Sequence, residues 1–119
     1  MKKTLIIGAS SNAERYAHRA AIQLMQHGHE IIQLGKKQGQ VNGNIIYTSW
    51  PEMEHVDTIT LYINPLLQKN YYELILLLNP KRIIFNPGAE NPVFAETARE
   101  HGIETLEACT LVMLGTGQY

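Results

Sequence analysis

The chain has 119 residues, 45% of them hydrophobic, with a net charge of −1 and a single cysteine. That length suits one domain over residues 1–119 and leaves too little chain for a nucleotide domain plus a catalytic domain of usual size. The near-neutral charge argues against a nucleic-acid or anionic-membrane footprint, and the lone Cys109 excludes an intrachain disulfide framework or a Cys-rich zinc site.

Lys2 and Lys3 precede an apolar run, but Leu5-Ile6-Ile7 meets Gly8 too soon for a signal peptide. No stretch approaches the roughly 20 apolar residues that span a bilayer. A reducing, cytoplasmic setting is the expectation. Thr4–Ile7 reads as a central strand buried on both faces. From Asn12, a candidate cap, Ala17, Ala20, Ala21, Leu24 and Met25 recur at helical spacing until Gly28 supplies a left-handed stop. Glu30–Leu34 is a second strand, and Gly35–Gln40 reads as a polar, glycine-rich loop.

Asn42-Gly43 signals a turn, Ile45–Tyr47 a third strand and Trp50-Pro51 a break. Thr58–Ile63 makes a fourth strand. Pro65 opens a helix whose Leu66, Leu67, Tyr71, Leu74, Ile75 and Leu78 repeat at three and four until Asn79-Pro80. Arg82–Phe85 is a fifth strand, Asn91-Pro92 starts a helix that Gly102 ends, Ile103–Leu106 is a sixth strand, and Thr110–Leu114 makes a final helical turn closed by Gly115. This alternation predicts an α/β fold: a doubly wound, mainly parallel sheet with helices on both faces. Ligands of such folds bind beyond the carboxyl ends of the strands, where the strand order reverses.

The loops there carry the chemistry. Gly8, Ala9, Ser10, Ser11 and Asn12 join a strand to a helix, so their N–H groups and the helix dipole suit a phosphate; the alternative is an ordinary capped turn. Serine and alanine replace the second and third glycines of a dinucleotide fingerprint. Arg15 and Tyr16 follow, the first as a partner for a phosphate oxygen, the second as a flank for the ligand. At the end of the second strand, where a NAD site carries an acid, the chain reads Gly35-Lys36-Lys37. Two lysines suit the extra ribose phosphate of NADP or coenzyme A, or are simply a solvated basic loop. Asn86, Pro87, Gly88 and Ala89 offer backbone donors and the Asn86 amide, and Tyr62 faces them from the fourth strand.

Gly8–Asn12 with Glu14–Ala17, then Asn86–Asn91, then Glu107–Leu114, in that order, resemble the small stand-alone CoA-binding proteins. That family is similar to the nucleotide-binding domain of the succinyl-CoA ligase alpha subunit. The resemblance implies a Rossmann-type fold with coenzyme A or an acyl-CoA across the strand ends, contacting Gly8–Asn12, Arg15, Tyr16 and the Asn86–Ala89 loop. Many members carry an Asn-Pro pair after the second strand, where this chain has Gly35-Lys36-Lys37, and proline where it has Ala13.

No catalytic constellation can be assembled. The five histidines show no ligand spacing, His27, His29 and His101 read as surface or capping residues, and Cys109 reads as a small hydrophobe beside an apolar run. The related ligases use a phosphohistidine from further domains that are not in this sequence. The expectation is therefore binding of a small-molecule nucleotide cofactor without turnover and without a metal. A small NADP-linked reductase and a regulatory module derived from a nucleotide-binding domain are the alternatives.

Overall fold

Strands rich in Ile, Leu and Thr cannot be left with either face in water, and the chain solves this by layering helices on both sides of one sheet. The computed structural model describes residues 1–119. Seven strands, β1 (Thr4–Ala9), β2 (Ile31–Gly35), β3 (Gly39–Val41), β4 (Asn44–Tyr47), β5 (Thr58–Leu61), β6 (Arg82–Phe85) and β7 (Glu104–Glu107), line up in the order β3-β4-β2-β1-β5-β6-β7. Only β3 is antiparallel, paired with β4. The order reverses between β1 and β5, so the doubly wound fold stands as expected.

Alternation along β1 sorts the core. Leu5 and Ile7 face one side with Ile59, Leu61, Ile83 and Phe85, covered by Ile75 of helix α3 (Tyr72–Leu78) and by Phe94, Ala95 and Ala98 of α4 (Pro92–Glu100). Ile6 and Ile84 face the other, covered by Ala17, Ala21 and Leu24 of α1 (Tyr16–Gln26) and by Met113 and Leu114 of α5 (Thr110–Gly115). The alanines of α1 are buried against the sheet.

Three expectations are corrected. The first helix begins at Tyr16, because Asn12 turns its side chain onto the Glu14 N–H and the chain stays extended at Arg15. That local bond competes with helix continuation. Gly35–Gln40 is loop only in part: Gly39 and Gln40 pair with Ile46 and Ile45 as β3, completing a hairpin around Asn42-Gly43, both at positive φ. The helix from Pro65 divides into α2 (Pro65–Gln68), a 3₁₀ turn (Lys69–Tyr71) and α3. At this junction the Gln68 amide is drawn inward, its Nε2 donating to the carbonyls of Ile63 and Ala89.

The amino ends of the strands form a satisfied polar seam. Arg82 is buried, with Nε donating to Thr58 Oγ1 at 2.8 Å and Nη2 to the main-chain oxygen of Tyr119 at 3.0 Å. The guanidinium also lies over the Tyr119 ring, 4.4 Å from its centroid, and the Tyr119 hydroxyl meets Thr4 Oγ1 at 2.5 Å.

At the opposite end the packing is tighter. A Cβ on Gly35 would lie 2.3 Å from the Ala9 carbonyl oxygen, a backbone atom with no room to yield. Gly35→Ala should therefore cost about 1–3 kcal/mol, as overpacking does. Chemical denaturation should show that loss, and an unchanged midpoint would mean that the two strand ends separate freely.

Candidate functional site

The site is set by where β1 lets go of the sheet. Gly8 has φ +98°, and any Cβ there would meet Ile63 and the Tyr62 backbone at 3.0 Å. Only glycine takes that conformation without strain, and it shifts the register with β2 between Ile7 and Ala9. The chain then lifts off at Ser10 into a loop fixed by its own groups. Ser10 Oγ accepts from Asn12 N–H at 3.0 Å, Asn12 Oδ1 accepts from Glu14 N–H at 3.0 Å, and the Asn12 carbonyl accepts from Arg15 N–H at 3.0 Å.

What remains is a set of free donors. The N–H groups of Ser11, Ala13, Tyr16 and Ala17 have no acceptor in the protein. Helix α1 has neither a side-chain cap nor an acidic residue in its first turn, so its first N–H groups are left open at the positive end of the dipole. Arg15 and Tyr16 are exposed here, and Arg19 lies over the Tyr16 ring, 5.4 Å from its centroid. Lys36 and Lys37 are exposed on the adjacent β2–β3 loop, which packs on the first loop through Gly39: a Cβ there would lie 3.1 Å from Ser11 Cβ.

The second loop differs. Asn86 is 1% exposed, its Nδ2 donates to Thr60 Oγ1 at 2.7 Å and to the Leu61 carbonyl at 2.8 Å, and its Oδ1 accepts from Thr110 N–H at 2.9 Å. The Asn86 N–H reaches the Leu61 carbonyl, Gly88 N–H the Glu90 carboxylate and Ala89 N–H the Asn86 carbonyl, while Pro87 has no N–H. The expectation that this loop presents the Asn86 amide and spare backbone donors is therefore corrected. Its polar groups tie β5, β6 and α5 together, and only Pro87 and Gly88 are exposed.

Tyr62 stands between these loops with its hydroxyl turned inward, buried and without a well-placed hydrogen-bond partner. The neighbouring Thr60 and Thr110 hydroxyls bond each other at 2.8 Å. Burial pushes the phenol pKa up to about 12, against the pull of the Thr110 hydroxyl and helped by nearby Cys109. Tyr62 thus presents no free hydroxyl, and its N–H is taken by the Ile7 carbonyl at 2.9 Å. The phenol stays protonated in the fold where an unfolded tyrosine ionises, so its contribution is complete below pH ~10 and declines as pH rises toward 12. Tyr62→Phe should melt no lower than the wild type at pH 7 and lose less stability between pH ~10 and 12. Parallel alkaline losses in the two proteins would contradict this environment.

His18 was not singled out by sequence reasoning. From the first turn of α1 its Nδ1 lies 3.2 Å from the Ser10 carbonyl oxygen, eight residues back. No local spacing signals such a contact. His27 and His101 do cap their helix ends, at 2.8 and 2.9 Å from the carbonyls of Gln23 and Thr97. No cluster of His, Cys, Asp or Glu has metal-holding geometry.

Comparison with known proteins agrees with the fold. A solved structure of an uncharacterized protein is 53% identical, covers 100% of this chain and 98% of its own, and superimposes with a TM-score of 0.97. A hypothetical protein from Pyrococcus horikoshii OT3 shares the fold at 24% identity, with a TM-score of 0.87 over 97% of this chain and 82% of its own. So does cell-free ID.343 from Thermus thermophilus, at 20% identity and TM-score 0.86 over 99% and 90% of the two chains. No curated protein sequence matches. A family model described as a CoA binding domain matches residues 2–115, and with that match across nearly the whole sequence the chain belongs to the CoA-binding domain family.

Proposed function

We propose that the protein binds coenzyme A or an acyl-CoA across the carboxyl ends of β1, β2, β5 and β6, with no turnover of its own. The observation that carries this reading is the first loop, which combines four unpaired N–H groups, an uncapped helix start and exposed cations. A diphosphate answers all three. Gly8–Asn12 with Arg15 and Tyr16 would hold it, Lys36 and Lys37 beside Gly35 would face the adenosine ribose phosphate, and the pantetheine arm would pass Tyr62 toward Pro87, Gly88 and the Asn86–Ala89 turn. Family membership supports the choice of coenzyme A over other nucleotides.

The protein contributes electrostatics and shape. Backbone donors cannot be titrated away, so they hold the diphosphate at any pH near neutrality. The lysines act as exposed point charges on the 3′-phosphate, each worth on the order of 1 kcal/mol and weakened by salt. The absence of turnover is inferred from how the ionisable groups near the crevice are engaged: the Tyr62 hydroxyl is sealed, His18 lies against the Ser10 carbonyl and the Glu90 carboxylate accepts from Gly88 N–H.

Calorimetric titration tests the reading with coenzyme A, dephospho-CoA and NADPH. Coenzyme A should bind best, and loss of the 3′-phosphate should cost about tenfold or less at moderate salt. Lys36→Ala or Lys37→Ala should shrink that preference. Ser10→Glu should weaken binding by at least about tenfold by placing an acid against the diphosphate, with the melting temperature little changed. Equal affinity for all three ligands, or full affinity in Ser10→Glu, would remove this loop from the site. NADPH oxidation against a panel of carbonyl compounds should stay at background, and sustained turnover would favour the reductase reading.

A further inference from the structure

We infer that His18 is a positioning residue of the diphosphate loop: by holding the Ser10 carbonyl it aims the Ser11 N–H at the ligand. The inference rests on the binding reading above and adds a residue to it. Its starting point is the release of β1 from the sheet. Beyond Ala9 the strand has no further partner in β2, so the Ser10 carbonyl would be left to water. His18 reaches it, with Nδ1 3.2 Å away. A carbonyl can only accept, so the ring must carry its proton on Nδ1, and the neutral tautomer is fixed.

The consequence passes through the peptide plane. In a trans peptide the C=O and the following N–H point in opposite directions, and the unit turns as one body. Drawing the Ser10 oxygen toward the His18 ring therefore sends the Ser11 N–H away from it, to the exposed side of the loop. That N–H is one of the unpaired donors, and Ser11 itself is exposed. Without the histidine the Ser10–Ser11 peptide is free to turn over, which would replace a donor with a carbonyl oxygen facing an anion. The Ser10 hydroxyl does not prevent this, since its bond goes to Asn12 N–H and leaves the Ser10 carbonyl unheld. His18 is half-buried and needs no contact with the ligand for this role.

The test uses two substitutions and two readouts. His18→Leu removes the donor, whereas His18→Asn keeps one, because the Asn Nδ2 stands at the same distance from Cβ as the histidine Nδ1. His18→Leu should weaken binding of coenzyme A and of ADP by about tenfold, the value of one hydrogen bond to a charged group, and His18→Asn should restore most of it. The amide signal of Ser11 in ¹⁵N NMR should shift strongly on adding ADP to the wild type and to His18→Asn, and weakly in His18→Leu. Independently of any ligand, the ring nitrogens of the free protein at pH 8 should report the Nδ1–H tautomer. Unaltered affinity in a folded His18→Leu protein, equal losses in both variants, or an Nε2–H tautomer would each overturn the clamp. A wild type that binds neither ligand would instead overturn the binding reading, and the tautomer measurement would still decide the clamp.

Discussion

The close pass of β1 and β2 at their carboxyl ends constrains everything above it. Gly8 takes a left-handed turn against Tyr62 and Ile63, and Gly35 brings its backbone to the Ala9 carbonyl with no space for a side chain. Together these contacts end the sheet abruptly at β1. A gentler exit would let the chain continue pairing with β2 and would use up the donors that the loop now leaves open. The hairpin of β3 and β4 then closes over the outside through the Gly39–Ser11 contact, which keeps the lysine-bearing loop beside the first one.

Division of labour between the two crevice loops follows from the same geometry. The loop after β6 begins deep in the sheet, where Asn86 is buried between β5 and α5 and must satisfy every polar atom it carries. The loop after β1 has already left the core, so water can satisfy its N–H groups until an anion does. Similar strand-to-helix junctions thus become a strut in one place and an open row of donors in the other. Depth of burial decides which.

Much of this could be read before any coordinates. The mainly parallel sheet, the helices on both faces, the cap at Asn91 and the stops at Gly28 and Gly102 follow from periodicity and local chemistry. The three-residue strand β3 was hidden because Gly39 and Gln40 have no strand propensity, and their pairing is imposed by the Asn42-Gly43 turn. The delayed start of α1 was hidden because Asn12 caps a turn as readily as a helix. Within the site, Asn86 looked like a ligand because asparagine is polar; only tertiary packing reveals that its partners are Thr60, Leu61 and Thr110. His18 escaped for a related reason, its partner being a backbone oxygen with no sequence signature.

The two ends of the sheet differ in a way that bears on kinetics. At the amino end the polar groups of Thr4, Thr58, Arg82 and Tyr119 have found one another. At the carboxyl end the open donors of the first loop face solvent, while the turns beneath them are already locked by Ser10 and Asn12. A ligand arriving there displaces water and breaks no bond between protein groups. The free and occupied proteins should therefore share one backbone, and the association rate should be governed by diffusion and by the field of Arg15, Lys36 and Lys37 rather than by a slow rearrangement.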